Sequence, residues 1–215
     1  MSAARTLCLD FDDTLCDGAE APLPGAREVL GRLHAAGWNL VLCSARFDPL
    51  FGELVGRRIA KIEAWLLEHR LPPVTVSDTL PQADLYLDDK GLDLCGDWER
   101  DVARVLERAG AGWKGRRGRV SFLLDEVATA EDGGARRARE GAPQALSRLV
   151  AQGCELALLI TGDDLPGTAL ANELRALGFP RARVAPHKLS SAVYASHRGL
   201  RFEGDWAAIE ARLRA

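Results

Sequence analysis

Short apolar runs alternate along the chain with longer stretches in which apolar residues recur every three or four positions. TLCLD (6–10) is the first such run, brief enough for a buried strand. Val29, Leu30 and Leu33 then stand at helical spacing within 26–36, and 40–43 is a second strand. A longer helix is expected over 51–69, with Leu54, Ile59, Ile62, Trp65 and Leu66 on one side. Strands follow at 74–76, after two prolines, and at 85–87, and a helix from Trp98 closes the unit. Apolar strands alternating with helices predict an α/β fold, a parallel sheet covered on both faces.

The same pattern then recurs. Residues 9–18 (LDFDDTLCDG) align with 124–133 (LDEVATAEDG) at five of ten positions, and 90–98 (KGLDLCGDW) with 198–206 (RGLRFEGDW) at five of nine. Between them, the stretch from Gly25 shadows the stretch from Gly141. A tandem duplication follows, with domains at 1–110 and 118–215, each a Rossmann-like sheet of about four to five strands. The glycine-rich, basic segment 110–118 suits an exposed linker between them.

In open parallel sheets, ligands sit beyond the carboxyl ends of the strands. Asp10, Asp12, Asp13 and Thr14 follow the first strand, Ser44 and Arg46 the second, and Asp88, Asp89 and Lys90 the strand at 85–87. So many carboxylates at one edge repel unless a cation joins them, and hard oxygen ligands select Mg²⁺. The hydroxyl and guanidinium beside them suit phosphate oxygens.

These segments resemble the motifs of the haloacid dehalogenase superfamily of phosphohydrolases. LCLDFDDTL is similar to the first motif, LVLCSAR to the second and ADLYLDDKGLD to the acidic fourth, in the small, capless type. The resemblance covers 5–108 closely and 119–213 in eroded form. It implies a Mg²⁺-dependent phosphatase in which Asp10 attacks a phosphomonoester and becomes an aspartyl-phosphate, and Asp12 is the acid and base. It further implies that Asp10, the Asp12 carbonyl, Asp88 and Asp89 hold the metal, and that Thr14, Ser44, Arg46 and Lys90 contact the substrate. The substrate would be a small phosphorylated molecule or a phosphorylated macromolecule.

Two departures complicate this expectation. The superfamily's third motif is a lysine just upstream of the acidic strand, where this first copy reads Thr79-Leu80-Pro81-Gln82. Lys61 and Lys90 are the remaining candidates in this half. The second copy keeps Asp125 and Thr129 but has Val127 for Asp12 and Ser196-His197 for the acidic pair, so it should be silent. His187-Lys188 nevertheless falls at its lysine position, and the expectation is that Lys188 stays in its own copy. The second half would then be structural or capping, as one side of an intramolecular pseudo-dimer. The alternative reading is a non-catalytic phosphate-binding or interaction protein, a pseudophosphatase.

Net charge is -3 with both signs interspersed, which gives no field drawing the chain to nucleic acid or anionic lipid. No apolar run reaches membrane-spanning length. Five cysteines, an odd number without C-x-x-C spacing, fit a reducing cytoplasm.

Overall fold

The computed structural model describes residues 5–18, 20–51, 54–110, 118–130, 136–162 and 168–214. The centre of the expected linker, 111–117, and residues 131–133 of the first repeat lie outside them. The first half runs β1 (Thr6–Leu9), α1 (Ala26–Ala35), β2 (Asn39–Leu42), α2 (Val55–Glu68), β3 (Thr75–Val76), β4 (Leu85–Asp88), β5 (Gly91–Asp93) and α3 (Trp98–Ala109). The second runs β6 (Arg119–Leu123), α4 (Leu124–Val127), β7 (Ala128–Ala130), β8 (Arg136–Ala138), α5 (Ala142–Ala151), β9 (Glu155–Leu159), α6 (Thr168–Ala176), β10 (Arg183–Ala185), β11 (Val193–Ser196), β12 (Gly199–Arg201) and α7 (Trp206–Arg214).

Two five-stranded sheets result, each wholly parallel and flanked by helices, an α/β architecture compatible with a Rossmann-like fold. Their orders are β12-β4-β1-β2-β3 and β10-β9-β6-β11-β5. The edge strands are exchanged. The sequence pattern reads no strand between 85–87 and the helix at Trp98, but β5 forms there and pairs with β11 through Gly91–Tyr194, and β12 pairs with β4 through Gly199–Tyr86. The helices follow their strands, so α3 packs on α5 and α7 on α1. Each apolar core is thereby completed from the other half: Leu200, Phe202, Trp206, Ile209 and Leu213 join the core around β1, and Leu92, Leu94, Val102 and Val105 join the one around β6.

This reciprocal exchange explains the repeated Gly-Asp-Trp. Gly96 and Gly204 have φ of 84° and 87°, conformations that side chains disfavour. Asp97 and Asp205 then cap α3 and α7, each accepting from two backbone N–H groups of the first turn. Trp206 lies over Gly25 and Trp98 over Gly141, where a Cβ would meet the indole residues at 3.3 Å and 3.0 Å. The glycines that open β5 and β12 are equally constrained: a Cβ on Gly199 would lie 3.0 Å from the Ser196 carbonyl oxygen and 3.1 Å from that of Leu92. Gly199→Ala is therefore expected to lower stability by about 1–3 kcal/mol through overpacking against rigid backbone, read as a shift in the urea midpoint.

The long helix starts later than its periodicity suggests. Leu54 is extended (φ -60°, ψ 123°) and 68% exposed, not part of the apolar face. A pair of 3₁₀ turns (Ala45–Phe47 and Pro49–Phe51) fills the space, held by Asp48, whose Oδ1 accepts from the Leu50 N–H. A third apolar cluster lies between the sheets, where Cys8, Cys43, Leu80 and Ala83 meet Leu123, Ala157, Leu159, Ala185 and Leu189. All five cysteines are free. Among the described residues, no helix is long and apolar enough to cross a membrane.

Candidate active site

β1 and β4 are neighbours in the first sheet, so the residues at their carboxyl ends converge. Asp10, Asp88 and Asp89 each bring a carboxylate oxygen into one group, all within 4.8 Å of one another. Asp10 and Asp88 are buried, and Asp10 is fixed by its backbone N–H donating to the Leu87 carbonyl at 2.9 Å. Asp12 lies apart from this group. Both of its carboxylate oxygens accept from Arg46, at 2.7–3.0 Å.

The cation facing the acidic group comes from the other half. Lys188 Nζ is 2.8 Å from Asp10 Oδ1 and 2.5 Å from Asp88 Oδ2, and all three side chains are nearly inaccessible. The expectation that Lys188 stays in its own copy is thus overturned. The strand exchange brings the two halves together so that the loop before β11 enters the first half's site. That loop is held on both sides: Leu80 N–H donates to the Pro186 carbonyl, and the Tyr194 hydroxyl to the Leu189 carbonyl. Asp48 of the first half also faces Arg183 and His187 at 3.4 Å and 3.8 Å. Neither Lys61 nor Lys90 occupies this place; Lys90 lies 3.9 Å from Asp89 on the cleft wall.

Electrostatics set the demand for a further cation. Burial raises the Asp10 carboxyl to about 7, with Asp88 adding to the rise and Lys188 opposing it. Asp89 is raised to about 6, by burial first and the Asp88 charge second. Burial works against the Lys188 ammonium, but Asp10 and Asp88 outweigh it and hold its pKa well above the usual value. When ionised, the three carboxylates outnumber the buried Lys188 ammonium and the half-exposed Lys90 beside Asp89, so the group stays net negative. Asp89 Oδ1 is moreover buried without a hydrogen-bond partner. A divalent cation with oxygen preference would fit both features, and Asp10, Asp88 and Asp89 are the side chains that could hold it.

The remaining expected residues surround this centre with their side chains already engaged. Thr14 is buried, and its Oγ1 accepts from the Asp89 N–H at 3.2 Å, which fixes the acidic turn. Ser44 is also buried and caps the first 3₁₀ turn through Arg46 N–H. Arg46 lies over the Phe11 ring and reaches Glu20 at 3.3 Å as well as Asp12. A cleft of about 620 Å³ opens above, lined by Asp10, Asp12, Arg46, Arg58, Lys61 and Lys90 of the first half and by Ser190 and Tyr194 of the second. The second half is therefore part of the cleft wall.

No family model, curated protein or solved structure matches this chain. The internal repeat offers a comparison of its own. At the corresponding place in the second half, Arg198 pairs with Asp125 at 2.7 Å and with Glu126 at 3.1 Å. Glu126 also accepts from the Ser196 hydroxyl and the His197 N–H. Two carboxylates meet one guanidinium and further donors there, whereas the first half assembles three around Lys188, with Lys90 in the place of Arg198. Leu80, at the position matching Lys188, lies in the apolar cluster between the sheets.

Proposed function

We propose that the chain is a Mg²⁺-dependent phosphohydrolase of the haloacid dehalogenase type, cleaving a phosphomonoester through an aspartyl-phosphate on Asp10. The observation that carries this reading is Lys188 beside Asp10 and Asp88, the one part of the motif set that the first half lacks. The rival reading of a non-catalytic phosphate binder drew on that missing lysine, and Lys188 removes its motive.

Asp10 is the nucleophile: one carboxylate oxygen bonds to phosphorus as the ester P–O bond breaks. Asp12 gives a proton to the departing oxygen and takes one from the water that later releases phosphate. Its pairing with Arg46 is half exposed, 39% on each side, and so weak enough for phosphate oxygens to compete for the guanidinium. Lys188 holds the Asp10 carboxylate in place and offsets negative charge gathering on the transferring group. Asp10, Asp88 and Asp89, with the Asp12 carbonyl, would hold Mg²⁺, which when bound neutralises charge between two approaching anions. Thr14 and Ser44 would keep the turns around the phosphate rigid, and Lys90, on the cleft wall, would contact the substrate.

The open cleft admits a small phosphorylated molecule or a phosphorylated side chain on a larger one, in a reducing cytoplasm. The second half contributes a lysine and a wall, with its own acidic residues closed onto Arg198. Phosphate release from p-nitrophenyl phosphate is expected with Mg²⁺ and not after chelation. Turnover that persists unchanged in chelator would defeat the reading.

A further inference from the structure

We propose that Tyr194 is a positioning residue for Lys188, and that through it the second half sets the rate of phosphoryl transfer. The inference rests on the phosphohydrolase reading for its kinetic consequence and on geometry for the contact itself. A lysine carries four rotatable side-chain bonds, so a catalytic ammonium needs walls as well as counter-charges. Lys188 Nζ has Asp10 and Asp88 oxygens at 2.8 Å and 2.5 Å and lies over the Tyr194 ring, 4.6 Å from its centroid. The contact is desolvated, the setting in which a cation over an aromatic face is strongest.

The hydroxyl of the same residue acts on the backbone. It donates to the carbonyl of Leu189, the residue after Lys188, at 2.5 Å, and so fixes the direction from which the lysine enters. Tyr194 is itself tied to the first half, since its N–H donates to the Lys90 carbonyl at 3.1 Å within the β11–β5 pairing. One side chain therefore links the acidic turn of the first half, the lysine loop of the second and the cleft wall.

The pseudo-symmetric mate separates a structural duty from a positioning one. Tyr86 anchors its own loop in the same way, its hydroxyl donating to the Pro81 carbonyl at 2.7 Å. Its loop carries Leu80 where the other carries Lys188, and the cation over its ring is Arg198, at 5.4 Å, which serves Asp125 and Glu126. Loop anchoring is thus common to both tyrosines. Holding an ammonium against a candidate nucleophile belongs to Tyr194.

The test is a double-mutant cycle of Tyr194→Leu and Lys188→Met in the full chain, read in kcat and KM for p-nitrophenyl phosphate with Mg²⁺. Tyr194→Leu is expected to lower kcat by about ten- to thirtyfold with KM little changed, and to have no further effect once Lys188 is Met. Tyr194→Phe, which keeps the ring, should recover most of the loss. The same cycle in urea unfolding reports the contact without turnover, and the two midpoint shifts are expected to be non-additive. Additive effects on kcat and on the midpoint would overturn the proposal, even with wild-type activity intact. Absent wild-type turnover would sink the phosphohydrolase reading instead, with the unfolding cycle still deciding the contact.

Discussion

Lys188→Met is expected to reduce turnover by at least about 10²-fold, the scale on which one preorganised electrostatic stabiliser acts. Met keeps the length and apolar stem of the side chain, so the change isolates the ammonium. Stability should fall too. Removing the cation leaves Asp10 and Asp88 facing each other in a site where both are buried, and breaking a buried pair in this way costs about 3–5 kcal/mol. That loss is expected to be largest in chelator and to shrink when Mg²⁺ is added, because the metal then supplies the missing positive charge. Urea unfolding of both proteins with and without Mg²⁺ checks this. Equal losses in the two conditions would mean that Lys188 and the metal do not share the carboxylates.

Trp206→Ala is expected to cost about 3–5 kcal/mol, a large share of the roughly 5–15 kcal/mol that holds a domain folded. The indole is 1% exposed, lies over Gly25 and packs on Phe202 with ring centroids 5.3 Å apart. It fastens α7 to α1, so its loss loosens the exchanged β12 at the edge of the first sheet, next to Asp88 on β4. Trp98 holds the matching place in the other half but is only partly buried. Trp98→Ala should therefore shift the urea midpoint by visibly less, and a larger shift for Trp98→Ala would contradict this ranking.

Much of the site is legible in the sequence because it is local. Strands near 6–9, 39–42 and 85–88 place Asp10, Ser44 and Asp88 at carboxyl ends, and the apolar runs alone are enough for that. The exchange of β5 and β12 is not legible, since hydrophobic period fixes which face of an element is buried and says nothing about which copy buries it. Two clues nonetheless lay in the repeat. A lysine kept only beside Ser196-His197, and an acidic pair kept only beside Leu80, form one complete set when the halves serve each other. The first glycines of KGLDLCGDW and RGLRFEGDW, Gly91 and Gly199, mark close approaches to the opposite half, at Leu200 and Leu92. The late start of α2 is hidden for another reason: Leu54 reads with Ile59 and Ile62 as part of one apolar side, but Asp48 captures the preceding turn through a side-chain hydrogen bond.

The strand exchange is reciprocal, with paired contacts Tyr194–Gly91 and Tyr86–Gly199, the pattern expected of a pair of like halves that serve each other. Such a pair would hold two composite sites, each taking its lysine from the other half. In this chain one set has kept its acids and its lysine, and the other has Ser196, His197 and Leu80 in their places.

A rapid-quench experiment reaches the heart of the matter: wild-type and Lys188→Met proteins are mixed with a phosphomonoester and Mg²⁺, and acid-trapped acyl-phosphate is located by peptide mass spectrometry. A single site built from both halves predicts label on the peptide containing Asp10, forming at least about 10²-fold more slowly in Lys188→Met. Label on another residue, or labelling of Asp10 at the same rate with and without the Lys188 ammonium, would contradict it.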